Sequence, residues 1–254
     1  MRKEFLARIE KALNRFENKI IADIPSGDGS WWKGLAITRN NYVLLLDISP
    51  PEPTANILSV CSNADTVLPL RSNSIDAFIS IEGIEHLLSP HHFAGEIYRV
   101  LKPGGLLILT TPNISSLSSR IQFLLRGKYA GCTPITKSPD DFGNFDDYEE
   151  FRFKEHSSPM SLAQLLFVLS RSGFKIIETQ GIVIKLSHFA LLPFCWLLQF
   201  ITYTGLKKRL SPDQARLRRT MNRQDMLLGK HIFIYATKDD PVNTKRNQHL
   251  KENF

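Results

Sequence analysis

Residues 21–30, IADIPSGDGS, constrain this chain most when read together with residues 44–50, LLLDISP. The first segment is an apolar strand running into a short turn that holds Gly27 and Gly29. The second is another apolar strand, and it ends in Asp47. A fold that sets these strand ends side by side offers a nucleoside a bed of backbone N–H groups and a carboxylate for its ribose hydroxyls. A dinucleotide fingerprint wants a third small residue at position 32, so that helix and sheet close around a pyrophosphate. Trp32 stands there, behind Trp31. An indole is hard to fit into that contact, so the turn suits a nucleoside without a pyrophosphate better than NAD.

The rest of the chain supplies the scaffold such a pair of strands needs. Hydrophobic periodicity predicts helix 3–18, strand 20–25, helix 30–38 and strands 42–47, 57–61 and 75–80. Helix 89–100 and strand 104–110 follow. After a loop-rich stretch over 113–158 come helix 160–172, closed by Gly173, strand 174–184 and a last strand over 229–237. This alternation is that of an α/β domain, with a mostly parallel seven-stranded sheet and helices on both faces. It reads as one domain over 1–237, with a polar tail over 238–254 that is expected to fray.

The amino-terminal stretch lacks the apolar run of a signal peptide, and its Phe5, Ile9, Leu13, Phe16 and Ile20 recur at helical spacing. Cys61, Cys132 and Cys195 form neither a metal-ligand spacing nor a disulfide framework, so a reducing compartment and a cytoplasmic location are expected. One segment breaks the pattern. Residues 188–206, HFALLPFCWLLQFITYTGL, carry no formal charge, counting His188 as neutral. Seven Lys or Arg and two Asp follow between Lys207 and Asp225, within a net charge of +7. Pro193, Gln199 and two threonines weaken a membrane span. A buried or lid helix, or an interfacial helix that rests on an anionic membrane through 188–228, fits better.

With these segments in order, the chain resembles the class I S-adenosylmethionine-dependent methyltransferases. The resemblance is carried by the turn after the first strand, SIDAFISIEGIEH (74–86), EIYRVLKPGGLLILTTPN (96–113) and HSSPMSLAQLLFVLSRSGF (156–174). It implies a Rossmann-like fold and S-adenosylmethionine as cofactor. It also implies Asp23 near the methionine amino end, Gly27 and Gly29 in the loop, Asp47 on the ribose hydroxyls and Ile48 against the adenine. Asp65 is the candidate near the adenine amino group, although the family position is Ala64, and Ile81 completes the candidate set. No metal is expected. Two departures stand out: Pro25 replaces the first loop glycine and removes an amide donor, and Pro50, Pro51 and Pro53 leave little room for a helix over 48–56.

Methyl transfer needs alignment of the acceptor and a route for its proton. His86, beside Glu82 and Glu85, and His156, beside Glu155, are the candidate bases. A packing histidine paired with Glu85 is the plainer alternative for His86. Tyr129, Phe142, Phe145, Tyr148, Phe151, Arg120 and Arg126 are candidates to line an acceptor pocket in the 113–158 insert. The insert is similar to methyltransferases of polysaccharide and lipid-linked glycan assembly, and also to quinone O-methyltransferases. The expected acceptor is therefore a small molecule, first a sugar or lipid-linked hydroxyl, with a quinone-type acceptor as runner-up. A catalytically inactive scaffold that keeps the fold is the reading from another class. Nucleic acid is not expected as a partner, because SIEGIEH stands where a base-amine signature would be.

Overall fold

The computed structural model describes residues 3–32, 40–131, 156–184, 186–205 and 211–239. The strands are β1 (Ile20–Asp23), β2 (Tyr42–Asp47), β3 (Ile57–Cys61), β4 (Ile75–Ile81), β5 (Leu101–Pro112), β6 (Phe174–Ile182) and β7 (His231–Lys238). They form one seven-stranded sheet in the order β3-β2-β1-β4-β5-β7-β6. The pairs from β3 to β5 are parallel, and β7 runs antiparallel between β5 and β6. Described helices are α1 (Lys3–Leu13), α2 (Pro90–Val100), α3 (Leu117–Arg126), α4 (Leu162–Arg171), α5 (Leu192–Gly205), α6 (Pro212–Met221) and α7 (Gln224–Leu228).

Alternation along the strands divides the core in two. Ala22, Leu46, Phe78, Leu107 and Leu109 face one side, where Phe93, Ile97 and Val100 of α2 meet Leu162, Leu165 and Leu169 of α4. Ile21, Val43, Leu45, Ala77, Ile79 and Ile108 face the other, where Phe5, Ile9 and Leu13 of α1 pack beside Trp32. The helices are placed by ordinary signals. Ser161 and Gln164 make a reciprocal capping box on α4, and Pro90 opens α2.

Several boundaries differ from the sequence reading for identifiable reasons. The first helix stops at Leu13 rather than 18. Asn18 takes a left-handed φ of 53°, and Asn41 satisfies the connecting backbone by bonding Phe16 O and Lys19 N. Strand 20–25 ends at Asp23, since Pro25 has no N–H to give the ladder. Strand 174–184 ends at Ile182, and Val183 takes a φ of 61°. The fifth strand is longer than the expected 104–110, and its register with β4 shifts between Ile75 and Ala77. Within the stretch expected to be loop-rich, residues 117–126 are helical, with the Ser116 side chain as N-cap and Gly127 at the C-cap with a φ of 66°. No helix forms over 48–56, as the prolines imply. The expected helix 30–38 lies largely outside the described residues, as does most of the tail.

The sheet order changes direction at β1, whose two neighbours are β2 and β4. Open α/β sheets bind ligands outside the carboxyl ends of strands at such a reversal.

Candidate cofactor and acceptor site

At that reversal, the segments following β1, β2, β3 and β4 enclose a cavity of about 210 Å³. Ile24, Pro25, Asp47, Ile48, Ser62 and Ala64 line one part, and Gly83, His86, Leu87 and Phe93 the rest. This is smaller than the roughly 300–1,000 Å³ of a site that encloses a whole drug-sized ligand, so it fits one end of a cofactor. Close packing shapes its rim. A Cβ on Gly83 would lie 2.2 Å from Pro25 Cδ, so only glycine lets the proline ring sit against the β4 end. Gly29 has a φ of +61°, and a Cβ there would meet Leu45 Cδ1 at 2.4 Å. Pro25 thus removes an amide from the loop and instead becomes a wall of the cavity.

The Asp47 carboxylate organises the loop. It accepts from the Gly27 N–H at 2.9 Å and from the Ser49 N–H at 3.2 Å, while the residue stays partly open to solvent. Ile48 is half exposed beside it, presenting an apolar face to the opening. The Ser62 hydroxyl on the same wall is buried and has no hydrogen-bond partner among the described residues. A carboxylate acceptor on the rim, an apolar flank and an unpaired hydroxyl are groups that a nucleoside's hydroxyls and base can use, so the residues present fit one.

Asp23 occupies a different setting from Asp47. It is fully buried on the α1 side of the sheet and accepts from the Trp32 indole N–H at 2.7 Å, while its other oxygen has no hydrogen-bond partner among the described residues. Burial pushes its pKa up to about 8, against a smaller downward pull from the indole and a further upward push from Asp47. Trp32, read in the sequence as an obstacle to a pyrophosphate, is the residue that partners this acid.

Asp65 does not line the cavity. Its carboxylate accepts from the backbone N–H groups of Leu88 and Ser89, at 2.8 and 3.0 Å, and so ties the third strand's exit to the entry of α2. Ala64 holds the wall position instead. Ile81 closes β4 and packs with the α1-side core rather than on the cavity lining.

His86 lies on the cavity wall, and the His156 ring stands 4.7 Å from it, tilted by 32°. The two candidate bases, far apart in sequence, are therefore neighbours. Between them and the sheet sits Glu85, fully buried. Its Oε2 accepts from the Thr111 hydroxyl at 3.1 Å, and its Oε1 lies 3.9 Å from His156 Nε2. Burial, reinforced by the charge of Glu82, raises the Glu85 pKa well above the ordinary carboxyl value. Ligand-type atoms of Glu85, His86 and His156 all fall within 4.8 Å of one another. A tetrahedral zinc with bonds of about 2.0–2.1 Å holds its ligands about 3.4 Å apart, so the trio would have to contract to take one.

Glu82 takes a φ of 51°, uncommon for a residue with a Cβ. Its Oε2 stands 2.9 Å from His231 Nδ1, and its Oε1 accepts from the Thr110 hydroxyl at 3.2 Å. The sequence reading did not single out Thr110, Thr111 or His231. The only available signal was TTP at the end of a strand; the contact of His231 depends on antiparallel pairing with Pro112. Tyr129 stacks on Phe123 at 4.5 Å, and Arg120 and Arg126 are exposed on α3. Phe142, Phe145, Tyr148 and Phe151 lie outside the described residues.

Residues 22–109 match the methyltransferase domain family. That match spans residues 22–109 of the 254, about a third of the chain. A "Probable S-adenosylmethionine-dependent methyltransferase" of Mycolicibacterium smegmatis is 30% identical over 115 residues, which are 45% of this chain and 34% of that protein. The mitochondrial ubiquinone biosynthesis O-methyltransferase of Rattus norvegicus is 36% identical over 75 residues, 30% of this chain and 21% of the relative. The chain thus spans about a third or less of the length of these relatives. Among solved structures, a SAM-dependent methyltransferase from Archaeoglobus fulgidus superposes with a TM-score of 0.56 at 17% identity, covering 94% of this chain and 95% of the other. That likeness shows the class I methyltransferase fold, and the cofactor that the matched methyltransferase domain implies is S-adenosylmethionine.

Proposed function

We propose that this protein transfers a methyl group from S-adenosylmethionine to a hydroxyl of a small-molecule acceptor, with a sugar or lipid-linked glycan as the first choice. The cavity at the β1/β4 reversal carries this reading, because it joins a nucleoside-type rim at Asp47 to a pair of adjacent histidines. S-adenosylmethionine supplies a methyl group activated on a sulfonium, which departs as a neutral thioether. The chain has to bind, orient and receive a proton. Asp47 accepts from ribose hydroxyls while holding the Gly27 loop in place, and Ile48 packs on the base. Asp23, buried against Trp32, and Gly29, packed on Leu45, support the loop that would carry the amino-acid end from behind. His86, on the cavity wall, takes the proton of the acceptor hydroxyl as it attacks, and His156, backed by Glu85, orients it.

A quinone-type phenol is the second reading, favoured by the 75-residue likeness to the rat O-methyltransferase of ubiquinone biosynthesis. A scaffold without catalysis is the third, favoured by Pro25 and the missing 48–56 helix.

The test is calorimetric titration of the full chain with S-adenosylhomocysteine, beside NAD and beside Asp47→Ala, followed by methylation assays with glycan and quinol acceptors. Micromolar binding that is weakened in the variant and absent for NAD supports the enzyme reading. A folded protein that ignores S-adenosylhomocysteine overturns it. His86→Gln is expected to lower kcat much more than it raises KM for the acceptor.

A further inference from the structure

Outside the cavity, the least settled part of the molecule is its group of carboxyl-edge helices. The α3 helix follows β5 directly, and α5, α6 and α7 fill the connection between β6 and β7. Since Pro112 and Ile182 both pair with His231, all four helices lie beyond the same edge of the sheet as the cavity. A small apolar cluster joins three of them, formed by Leu117 of α3, Cys195 of α5 and Leu227 and Leu228 of α7.

Away from that cluster the helices are apolar on the wrong side for a protein in water. On α5, Cys195 and Thr202 turn inward, while Phe194, Trp196, Leu197, Phe200, Ile201 and Tyr203 are exposed. Trp196 is 61% exposed and Phe200 65%. On α3, Leu124 is 84% exposed and Leu125 73%. Helices that are apolar all round belong in a core or in lipid, and contiguous exposed patches of this kind mark an interaction surface. No described helix is long and apolar enough to cross a membrane. At 1.5 Å per residue, the 14 residues of α5 reach about 21 Å, short of the roughly 30 Å of a hydrocarbon core.

Charge narrows the choice of partner. A groove of about 620 Å³ runs between α5 and α6, lined by Gln199, Thr202, Tyr203, Arg219, Asn222 and Arg223. Arg216 and Arg219 are exposed on α6 and make no ion pair among the described residues. The run from Lys207 to Asp225 holds seven cationic side chains against two Asp. A second copy of this face would bring Arg216 and Arg219 of both copies together. An amphipathic surface of aromatic and leucine side chains flanked by arginines matches a lipid interface instead.

We propose that α3 and α5 form an interfacial platform for an anionic lipid bilayer. Trp196, Phe200, Leu124 and Leu125 enter the acyl boundary, and Arg216 and Arg219 meet headgroup phosphates. Because the platform shares the cavity's edge, it delivers a lipid-borne acceptor to His86; this consequence, unlike the docking itself, rests on the methyl-transfer reading.

The experiment is flotation of the full chain with vesicles of phosphatidylcholine alone or mixed with phosphatidylglycerol, including brominated acyl chains to quench Trp196. S-adenosylhomocysteine titration of the same samples reports the fold and the cofactor site separately. The expected result is flotation with phosphatidylglycerol and quenching that Trp196→Phe removes. The double variants Trp196→Ser/Phe200→Ser and Leu124→Ser/Leu125→Ser should each lower partitioning at least tenfold, with cofactor affinity unchanged. Arg216→Gln/Arg219→Gln should abolish the preference for phosphatidylglycerol. Protein that stays at the bottom of the gradient with both vesicles overturns the proposal. So does a dimer in sedimentation velocity that Trp196→Ser dissolves, or binding without quenching that salt reverses. Flotation without S-adenosylhomocysteine binding leaves the platform standing and sinks the methyl-transfer reading.

Discussion

The β1/β4 edge and the α3/α5 platform lie at the same end of one sheet and handle polarity in opposite ways. Around the cavity, carboxylates are committed to backbone amides: Asp47 to Gly27 and Ser49, Asp65 to Leu88 and Ser89, and Glu96 to Leu68. Those bonds lock loop ends that carry no repeating structure of their own, so the rim is preorganised before any ligand arrives. On the platform, aromatic side chains point outward and two arginines make no ion pair among the described residues. The contrast teaches that a rim of carboxylates held by backbone amides builds a site within the chain, whereas uncovered apolar surface points to a partner outside it.

The largest expected effect tests the inner region through pH. Asp23, with a folded pKa of about 8 against an ordinary 3.8, keeps its proton in the fold where the unfolded chain has released it. Stability of the ligand-free protein should therefore be highest below about pH 4 as far as this group is concerned. It should fall as pH rises through about 8 and level off above. At about 1.4 kcal/mol per pH unit the contribution is on the order of 5 kcal/mol. Denaturant unfolding at stepped pH should show this slope, and Asp23→Asn should flatten it. A parallel slope in the variant would remove Asp23 as the source.

Gly29→Ala comes next. Its positive φ and the 2.4 Å approach to Leu45 Cδ1 should together lower stability by about 2–4 kcal/mol, read as a shift in denaturation midpoint. Asp47→Ala should weaken S-adenosylhomocysteine binding about 10–100-fold, as expected for losing hydrogen bonds to a charged acceptor worth about 1.5–3 kcal/mol. Calorimetry checks this, and an unchanged affinity would move the ribose elsewhere. At the small end, Trp196→Ser in the absence of lipid should change stability by less than about 0.5 kcal/mol, because the side chain contributes little to the core. A large loss there would erase the distinction between the two regions.

Much of the inner region was legible in the residues. Asp47 sits at the end of β2 and holds the glycine loop, Pro25 and the 48–56 prolines act as the covalent geometry of proline demands, and the order of elements yields the observed sheet. Asp65 was harder, because its distance in sequence from Leu68-Pro69 says nothing of which amides it meets; α2's entry turn takes it. The proximity of His86 to His156 was equally hidden, since the two approach only when the segment before α4 folds against the end of β4, where the Ser158 N–H bonds Glu85 O.

What the sequence determined by itself was the periodic and the local: strand and helix identity, the loop after β1, and the carboxylate at the end of β2, because alternation, proline geometry and capping act over a few residues. Only the tertiary structure decided that Trp32 partners Asp23, that Glu85 lies between His156 and Thr111, and that an uncharged helix turns all four of its aromatic residues outward. Each of those depends on which surfaces remain after the sheet has closed, and burial is a property of the packed whole rather than of any segment.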